Sequence, residues 1–354
     1  YAYVAAEMRD TGHFWVPHRN GEVYAHKPPL MFWLIQAGSV LTGGQIGGVA
    51  TRLPSLLGGT LILWATARLA RLWYGPDTEW RVILLLSTTF IFWCQVGTGQ
   101  IDALLGGLEM TALYLLFSAD AGESRPTLRR AGAWLSMGLA ILAKGPVGLL
   151  VPCGAYLAAC LAAGEFRRCR SLHWLWGLPL ALAVPGAWLL AITLTGAPEG
   201  YFHQLLFDQT VARAAGELGH LQPFYYFAAY FGVDFLPWIF FFPACLLVLF
   251  RSTETRPANR RLLAWMLFVL IFFSLSPSKR NLYVFLAYPA AALLVAAIAP
   301  SLARLHRAWV LIPAHLLMSL LALMALALGG AWLVPRLPVP SPLFLPLAAA
   351  LAAG

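Results

Sequence analysis

Apolar runs follow one another from about residue 52 to the end of the chain, each broken by a short polar junction. They lack the period-two alternation of barrel strands, and backbone groups in lipid are satisfied only within helices or closed barrels. The pattern therefore predicts an all-α, polytopic membrane protein. Spans are expected at roughly residues 52–70, 82–97, 102–118, 132–144, 146–163, 173–195, 223–250, 262–277, 281–299 and 308–332, with another from 341. Two segments do not span: 1–29 and 196–222. In the first, Tyr1, Val4, Ala5 and Met8 share one helical face, which predicts a short amphipathic helix at the interface, stopped at Thr11-Gly12. Asn20-Gly21, between Trp15-Val16-Pro17 and Glu22-Val23-Tyr24, is a type I′ hairpin signal. A helix is expected to start at Pro28 or Pro29, with a run, Leu30 to Val40, too short to cross.

Charge orients this array. The clusters Arg68/Arg71/Arg81, Arg125/Arg129/Arg130, Arg167/Arg168/Arg170, Arg251/Arg256/Arg260/Arg261 and Arg304/Arg307 fall at every second junction, fifteen of 24 Lys+Arg residues. The positive-inside rule assigns those junctions to the cytoplasm. The opposite junctions then carry Gln95, Gln100, Asp102, Lys144, His220, Lys279 and Arg280, with Lys27 just before the first short run. Ionisable residues gathered on the outer side of a membrane protein mark a functional region.

Composition narrows the class without adding a partner. The chain is 60% hydrophobic and 11% charged, with a mean hydropathy of +0.72, which excludes an ordinary soluble domain. The net charge of +9 lies mostly in the inside loops and calls for no nucleic acid. Five dispersed cysteines without a CxxC spacing support neither a disulfide framework nor a cysteine metal site. The chain opens at Tyr1 without an initiator Met and ends within an apolar stretch, so a fragment of a longer protein is expected.

The segment 131–163 sets the depth of the outer turns. One helix there would put Arg129/Arg130 and Arg167/Arg168 on opposite sides, so two helices are expected, turning at Lys144-Gly145-Pro146. Each arm has ~14–17 residues, about 20–25 Å, short of a ~30 Å hydrocarbon core. Lys144 is thus expected in a recess, and the turns at Gln95–Asp102 and Ser276–Asn281 are expected to converge on the same sunken cavity.

Several residues there could carry chemistry. Lys27 precedes a helix start, where free N–H groups favour anions, although an interfacial lysine would look the same. Asp102 is a general base, a sugar-hydroxyl acceptor, a partner for a lysine, or an N-cap. Lys144 needs an anionic partner, and Asp102 is the best protein candidate. His220 precedes Gln222-Pro223-Phe224-Tyr225-Tyr226, and Arg213 lies near the same face if 203–215 is an amphipathic helix. Lys279 and Arg280, in Ser276-Pro277-Ser278-Lys279-Arg280-Asn281 with Tyr283, suggest an anion receptor. Asp234 and Glu109 carry no assignment. No P-loop, GxGxxG or HExxH occurs.

Read together and in order, these segments resemble the ArnT-like and protein O-mannosyltransferase group of GT-C glycosyltransferases. The stretch YAYVAAEM…WVPHRNGEVYAHKPPLMFWL is similar to the group's first outer loop, with its KPPL element as Lys27-Pro28-Pro29-Leu30. Thr51-Arg52-Leu53-Pro54-Ser55, Gln100-Ile101-Asp102-Ala103-Leu104, Lys144-Gly145-Pro146, His220…Pro223-Phe224-Tyr225-Tyr226 and Ser276–Tyr283 match its further motifs, over residues 1 to about 300.

The resemblance implies a first periplasmic loop over 1–51, a transmembrane GT-C domain over 52–354 with a second periplasmic loop at 196–222, and an enzyme of the bacterial inner membrane. It implies transfer of a sugar from undecaprenyl phosphate, with inversion, to lipid A or another envelope acceptor, aminoarabinose first and a hexose such as mannose as the alternative. By the resemblance Lys27, Arg213 and His220 hold the donor phosphate, Lys279 and Tyr283 sit near it, and Asp102 and Lys144 are the catalytic candidates lining the sugar or acceptor cavity. The group's acidic pair would precede Tyr1. His26 replaces the acidic residue before the lysine, so zinc, a candidate cofactor, would have only His26 and His220 as ligands. Leu221 stands where relatives carry a basic residue. A transporter or flippase would instead place polar groups near the midplane.

Overall fold

The computed structural model describes residues 1–170, 172–196, 198, 200–205, 221–251, 257–304 and 308–333. They belong to two compact units, Tyr1–Leu236 with Glu254–Ala297, and Pro237–Thr253 with Ile298–Gly354. Numbered in chain order among the described residues, the larger unit holds α1 (Ala2–Thr11), β1 (His18–Arg19), β2 (Glu22–Val23), α2 (Leu30–Ser39), α3 (Gly48–Tyr74), α4 (Pro76–Ser87) and α5 (Phe90–Gly97). It continues with α6 (Ile101–Asp120), α7 (Pro126–Lys144), α8 (Val147–Ala162), α9 (Phe166–Arg170), α10 (Trp174–Thr195), α11 (Tyr201–His203), α12 (Tyr226–Asp234) and, further on, α14 (Pro257–Leu275) and α15 (Ala287–Ile298). The smaller unit holds α13 (Phe242–Arg251) and α16 (Ala308–Leu333).

The first loop folds as its sequence pattern predicts. Helix α1 buries Val4, Ala5 and Met8 and ends at Gly12, whose φ of 74° suits a residue without Cβ. Asn20 and Gly21 both have positive φ, 57° and 78°, as a type I′ turn requires. The strands pair His18 with Val23 and Arg19 with Glu22, two residues beyond the Trp15-Val16-Pro17 run. Glu7 of α1 accepts hydrogen bonds from the turn amides of Asn20 (2.8 Å) and Gly21 (2.7 Å), tying helix to hairpin. Replacing Glu7 with Ala is expected to cost about 1–2 kcal/mol locally, seen as faster exchange of those two amides.

Helix α6 is the hub. It packs against α3, α7 and α8, and 89% of its most apolar window is buried. Against α3 the backbones touch. A Cβ on Gly58 would lie 2.2 Å from the Ala103 carbonyl oxygen, and one on Gly107 2.5 Å from that of Gly58. Small residues at a helix crossing permit this approach, which gains dispersion contact where lipid supplies no hydrophobic drive. Eighteen residues separate Asp102 in the first turn of α6 from Asp120 in its last, about 27 Å, close to the thickness of a hydrocarbon core.

The Asp120 end is rich in arginine, and several of these arginines are paired. Arg130 (3.2 Å) and the Tyr156 hydroxyl both donate to Asp120. Arg129 binds Glu123 (2.8 Å) and Ser118 (3.0 Å). Glu165 accepts from Arg261 and lies 3.3 Å from Arg168, and Arg261 also stacks over Trp73. The expected topology clusters are therefore also an ion-pair network.

Several expected spans differ in detail. Among the described residues four helices are long and apolar enough to cross a membrane, Gly48–Tyr74, Ile101–Asp120, Trp174–Thr195 and Pro257–Leu275, or up to six if two bent pairs each count as one span. The 82–97 span is one such pair, α4 and α5, bent by 69°. Thr88 and Thr89 sit at the break, where the Thr88 hydroxyl adds a second bond to the Leu84 carbonyl (2.6 Å) and the Thr89 hydroxyl bonds that of Leu85 (2.8 Å). The 223–250 span is interrupted between Asp234 and Phe242, and Pro237 lies in that gap. The 281–299 span opens with a 3₁₀ turn, Asn281–Val284, before α15. Helix α3 starts at Gly48 and α7 at Pro126, both earlier than expected; Pro126 sits comfortably in the first turn of α7, whose arginines lie on its first two turns.

Candidate functional site at the Asp102 end of the bundle

The Lys144-Gly145-Pro146 turn is the break the sequence predicts. Gly145 has a φ of 94°, and its amide closes α7 on the Ile141 carbonyl at 2.7 Å. Pro146 then caps α8. Lys144 is the last residue of α7 and Asp102 the second of α6, so each charge lies at the helix end whose dipole favours it. The two side chains form an ion pair, Lys144 Nζ to Asp102 Oδ1, with 12% and 7% of their side-chain surfaces exposed. Asp102 is thus inside the helix and paired, with Gln100 at the cap position. The Lys144 ammonium also lies 4.7 Å from the centre of the Tyr283 ring, a cation–π contact. The turns of Asp102 and Lys144 therefore meet the Ser276–Tyr283 segment in one place, as the three were expected to.

The juxtamembrane helices cover this end. Val4, Ala5 and Met8 of α1 and Met31, Phe32 and Ile35 of α2 share one apolar cluster with Ile101, Leu104 and Leu105 of α6 and Ala140 and Ala143 of α7. A second cluster joins Val16 and Ala25 to Leu142, Trp188 and Tyr201. The cover brings Tyr1 and Tyr24 to this end of the bundle. Tyr1 packs on Phe32 and lies within electrostatic reach of Asp102, Tyr24 and Arg280. Burial first, then the Asp102 and Tyr24 charges, push the Tyr1 phenol above its ordinary pKa, so it remains a hydrogen-bond donor across the physiological range. No local signal marks Tyr1, because its proximity to Asp102 arises only when the loop folds back on α6.

Lys27 is half-buried beside Pro28 and Pro29, just before α2, whose start has no side-chain cap. His26 is exposed and packs edge-on against Tyr24 at 5.0 Å. Lys279 is 3% exposed and donates to the Gln222 carbonyl at 3.0 Å. Around it Leu221 bridges Ser278 in antiparallel fashion, and the Gln222 amide bonds the Pro277 carbonyl at 3.1 Å. Lys279 therefore also fastens the end of the second loop to its own turn. Arg213 and His220, with most of the expected 203–215 helix, lie outside the described residues. Among the described residues no three His, Cys, Asp or Glu side chains converge as metal ligands, and His220, the other expected zinc ligand, lies outside them.

With this geometry in hand, the relatives define the class. Residues 26–190 match the family of dolichyl-phosphate-mannose-protein mannosyltransferases. The chain superposes on the crystal structure of ArnT from Cupriavidus metallidurans bound to undecaprenyl phosphate with a TM-score of 0.81 at 23% identity, covering 100% of this chain and 64% of that one. It also superposes on the archaeal oligosaccharyltransferase AglB from Archaeoglobus fulgidus with a TM-score of 0.51 at 14% identity, covering 99% of this chain and 49% of that one. The fold is that of the GT-C membrane glycosyltransferases.

Within that class the chain is ArnT-like. It is 28% identical over 350 residues to an undecaprenyl phosphate-alpha-4-amino-4-deoxy-L-arabinose arabinosyl transferase of Sodalis glossinidius, covering 95% of this chain and 60% of that one. It is 30% identical over 291 residues to the enzyme of that name in Pseudomonas paraeruginosa, covering 80% and 51%. The chain thus spans between about half and three-fifths of the length of these curated relatives.

Proposed function

We propose that this chain belongs to an enzyme that transfers 4-amino-4-deoxy-L-arabinose from undecaprenyl phosphate to a phosphate of lipid A at the periplasmic face of a bacterial inner membrane. The observation that carries the reading is the Lys144–Asp102 pair beneath Tyr283, under a juxtamembrane cover, at the end of α6 opposite the arginine network. The names of the relatives supply the donor and the sugar.

The chemistry suits the charges available. An oxygen of the acceptor phosphate attacks the anomeric carbon. The bond from that carbon to the undecaprenyl phosphate oxygen breaks on the opposite face, and the departing phosphate keeps the electron pair. The sugar inverts. A phosphate acceptor is already ionised near neutral pH, since its second pKa is about 6, so no strong base is needed. That fits a carboxylate held by a lysine: Asp102 orients Lys144 and sugar hydroxyls and need not remove a proton. Cations gain most where charge develops, on the leaving phosphate. Lys27, Lys279 and Arg280, with Arg213 and His220, are assigned to it, and Tyr283 steers Lys144. No step is assigned to a metal.

The test uses the full-length protein in proteoliposomes with undecaprenyl-phosphate-linked aminoarabinose and lipid A, followed by mass spectrometry of the lipid. A product heavier by one aminoarabinose is expected, and Lys27→Ala should lower kcat/KM by roughly 10²-fold. If the wild-type protein neither binds undecaprenyl phosphate nor modifies lipid A, the reading fails. A hexose product in place of aminoarabinose would overturn the sugar assignment.

A further inference from the structure

Among the described residues Asp234 is a carboxylate near the Lys279–Tyr283 turn that the proposed reaction leaves unused. It ends α12 and is 2% exposed. One oxygen accepts from Asn281 Nδ2 at 3.2 Å and the other from the Tyr288 hydroxyl at 2.9 Å. Tyr288 is fully buried and stacks on Phe231 (5.3 Å, 12°) and Phe235 (6.2 Å, 24°), so this arm is anchored in the core. The other arm points toward the site. Asn281 opens the 3₁₀ turn Asn281–Val284, which carries Tyr283 over the Lys144 ammonium. Immediately before it come Lys279 and Arg280, the first bonded to Gln222 and the second within electrostatic reach of Tyr1. A 3₁₀ turn holds itself weakly; the bonds at its two ends run from Tyr283 N to Arg280 O (3.0 Å) and from Phe285 N to Leu282 O (3.2 Å). An external tether therefore decides where its side chains sit.

We propose that Asp234 is a positioning residue whose carboxylate clamps Asn281 to Tyr288 and so fixes the Lys279–Tyr283 turn against Lys144. The clamp itself stands on the hydrogen bonds alone; its effect on turnover rests on the sugar-transfer reading. Two outputs separate them. In the full-length protein in nanodiscs, Asp234→Ala should raise amide exchange at Tyr283 and Phe285 roughly tenfold and lower kcat by about tenfold or more, since a small displacement of positioned groups is costly. Asp234→Asn should keep both within about threefold of wild type, because an amide can accept from Asn281 while donating to the Tyr288 hydroxyl. Should Asp234→Ala fail to fold, Asn281→Ala cuts only the arm facing the site and should reproduce both effects. Unchanged exchange in the Ala variant that folds overturns the clamp. Raised exchange with unchanged kcat overturns its role in transfer. A wild-type protein that transfers no aminoarabinose overturns the proposed function and leaves the exchange result to decide the clamp.

Discussion

Lys144→Ala should lower sugar transfer by about 10²–10³-fold, the usual cost of removing one preorganised group that stabilises developing charge. It should also destabilise the protein, by about 3–5 kcal/mol, because Asp102 would remain buried with its ion-pair partner gone. The two losses have different origins and can be parted. The double variant Asp102→Asn/Lys144→Met removes both charges and keeps the volume, so thermal stability should return most of the way while activity stays low. A double variant with restored transfer would show that the pair is structural only. Lys144→Arg is a sharper probe: charge remains, but the planar guanidinium differs from the compact ammonium over Tyr283, so partial activity is expected at best.

Gly58→Val should be the most damaging substitution for the bundle. Its Cβ would meet the Ala103 carbonyl at 2.2 Å and the Leu104 Cα at 2.6 Å, all backbone atoms of α6 that no rotamer change can move away. The helices must separate, forfeiting the contact along α3 and α6, at a cost of about 3 kcal/mol or more. Because Ala103 adjoins Asp102, the shift should reach the site, and transfer should fall together with thermal stability. Gly186→Ala is the control: nothing lies within 4 Å of a Cβ there, so it should be close to neutral. Equal melting temperatures for Gly58→Val and wild type would refute the close crossing.

Local signals carried much of this fold. Asn20-Gly21 made its turn, the apolar face of α1 is the buried one, and Lys144-Gly145-Pro146 turned where two short arms were needed. The pairing of Lys144 with Asp102 was legible because a recessed ammonium demands an anion and few were available. The bends were less so. Threonines at 88 and 89 can replace a helix bond with their hydroxyls, so the hydropathy trace runs through the break between α4 and α5 without a mark. Pro237 lies inside 223–250 where the span is interrupted, since proline breaks a helix's bond ladder. Other long-range pairs left no trace: Glu165 meets Arg261 ninety-six residues away, and Tyr1 nears Asp102 only through the packing of α1 and α2 on α6.

The arginine network at the Asp120 end has a consequence in time. During insertion, a nascent chain is oriented by bare positive charge in its short loops. In the folded molecule Arg129, Arg130, Arg168 and Arg261 face carboxylates of their own chain. The attraction for anionic headgroups that helps set orientation is therefore strongest before folding and is quenched as the helices assemble. Replacing Glu165 or Asp120 with a neutral residue would leave a chain that inserts the right way round yet keeps, once folded, the lipid-clinging charge of its own precursor.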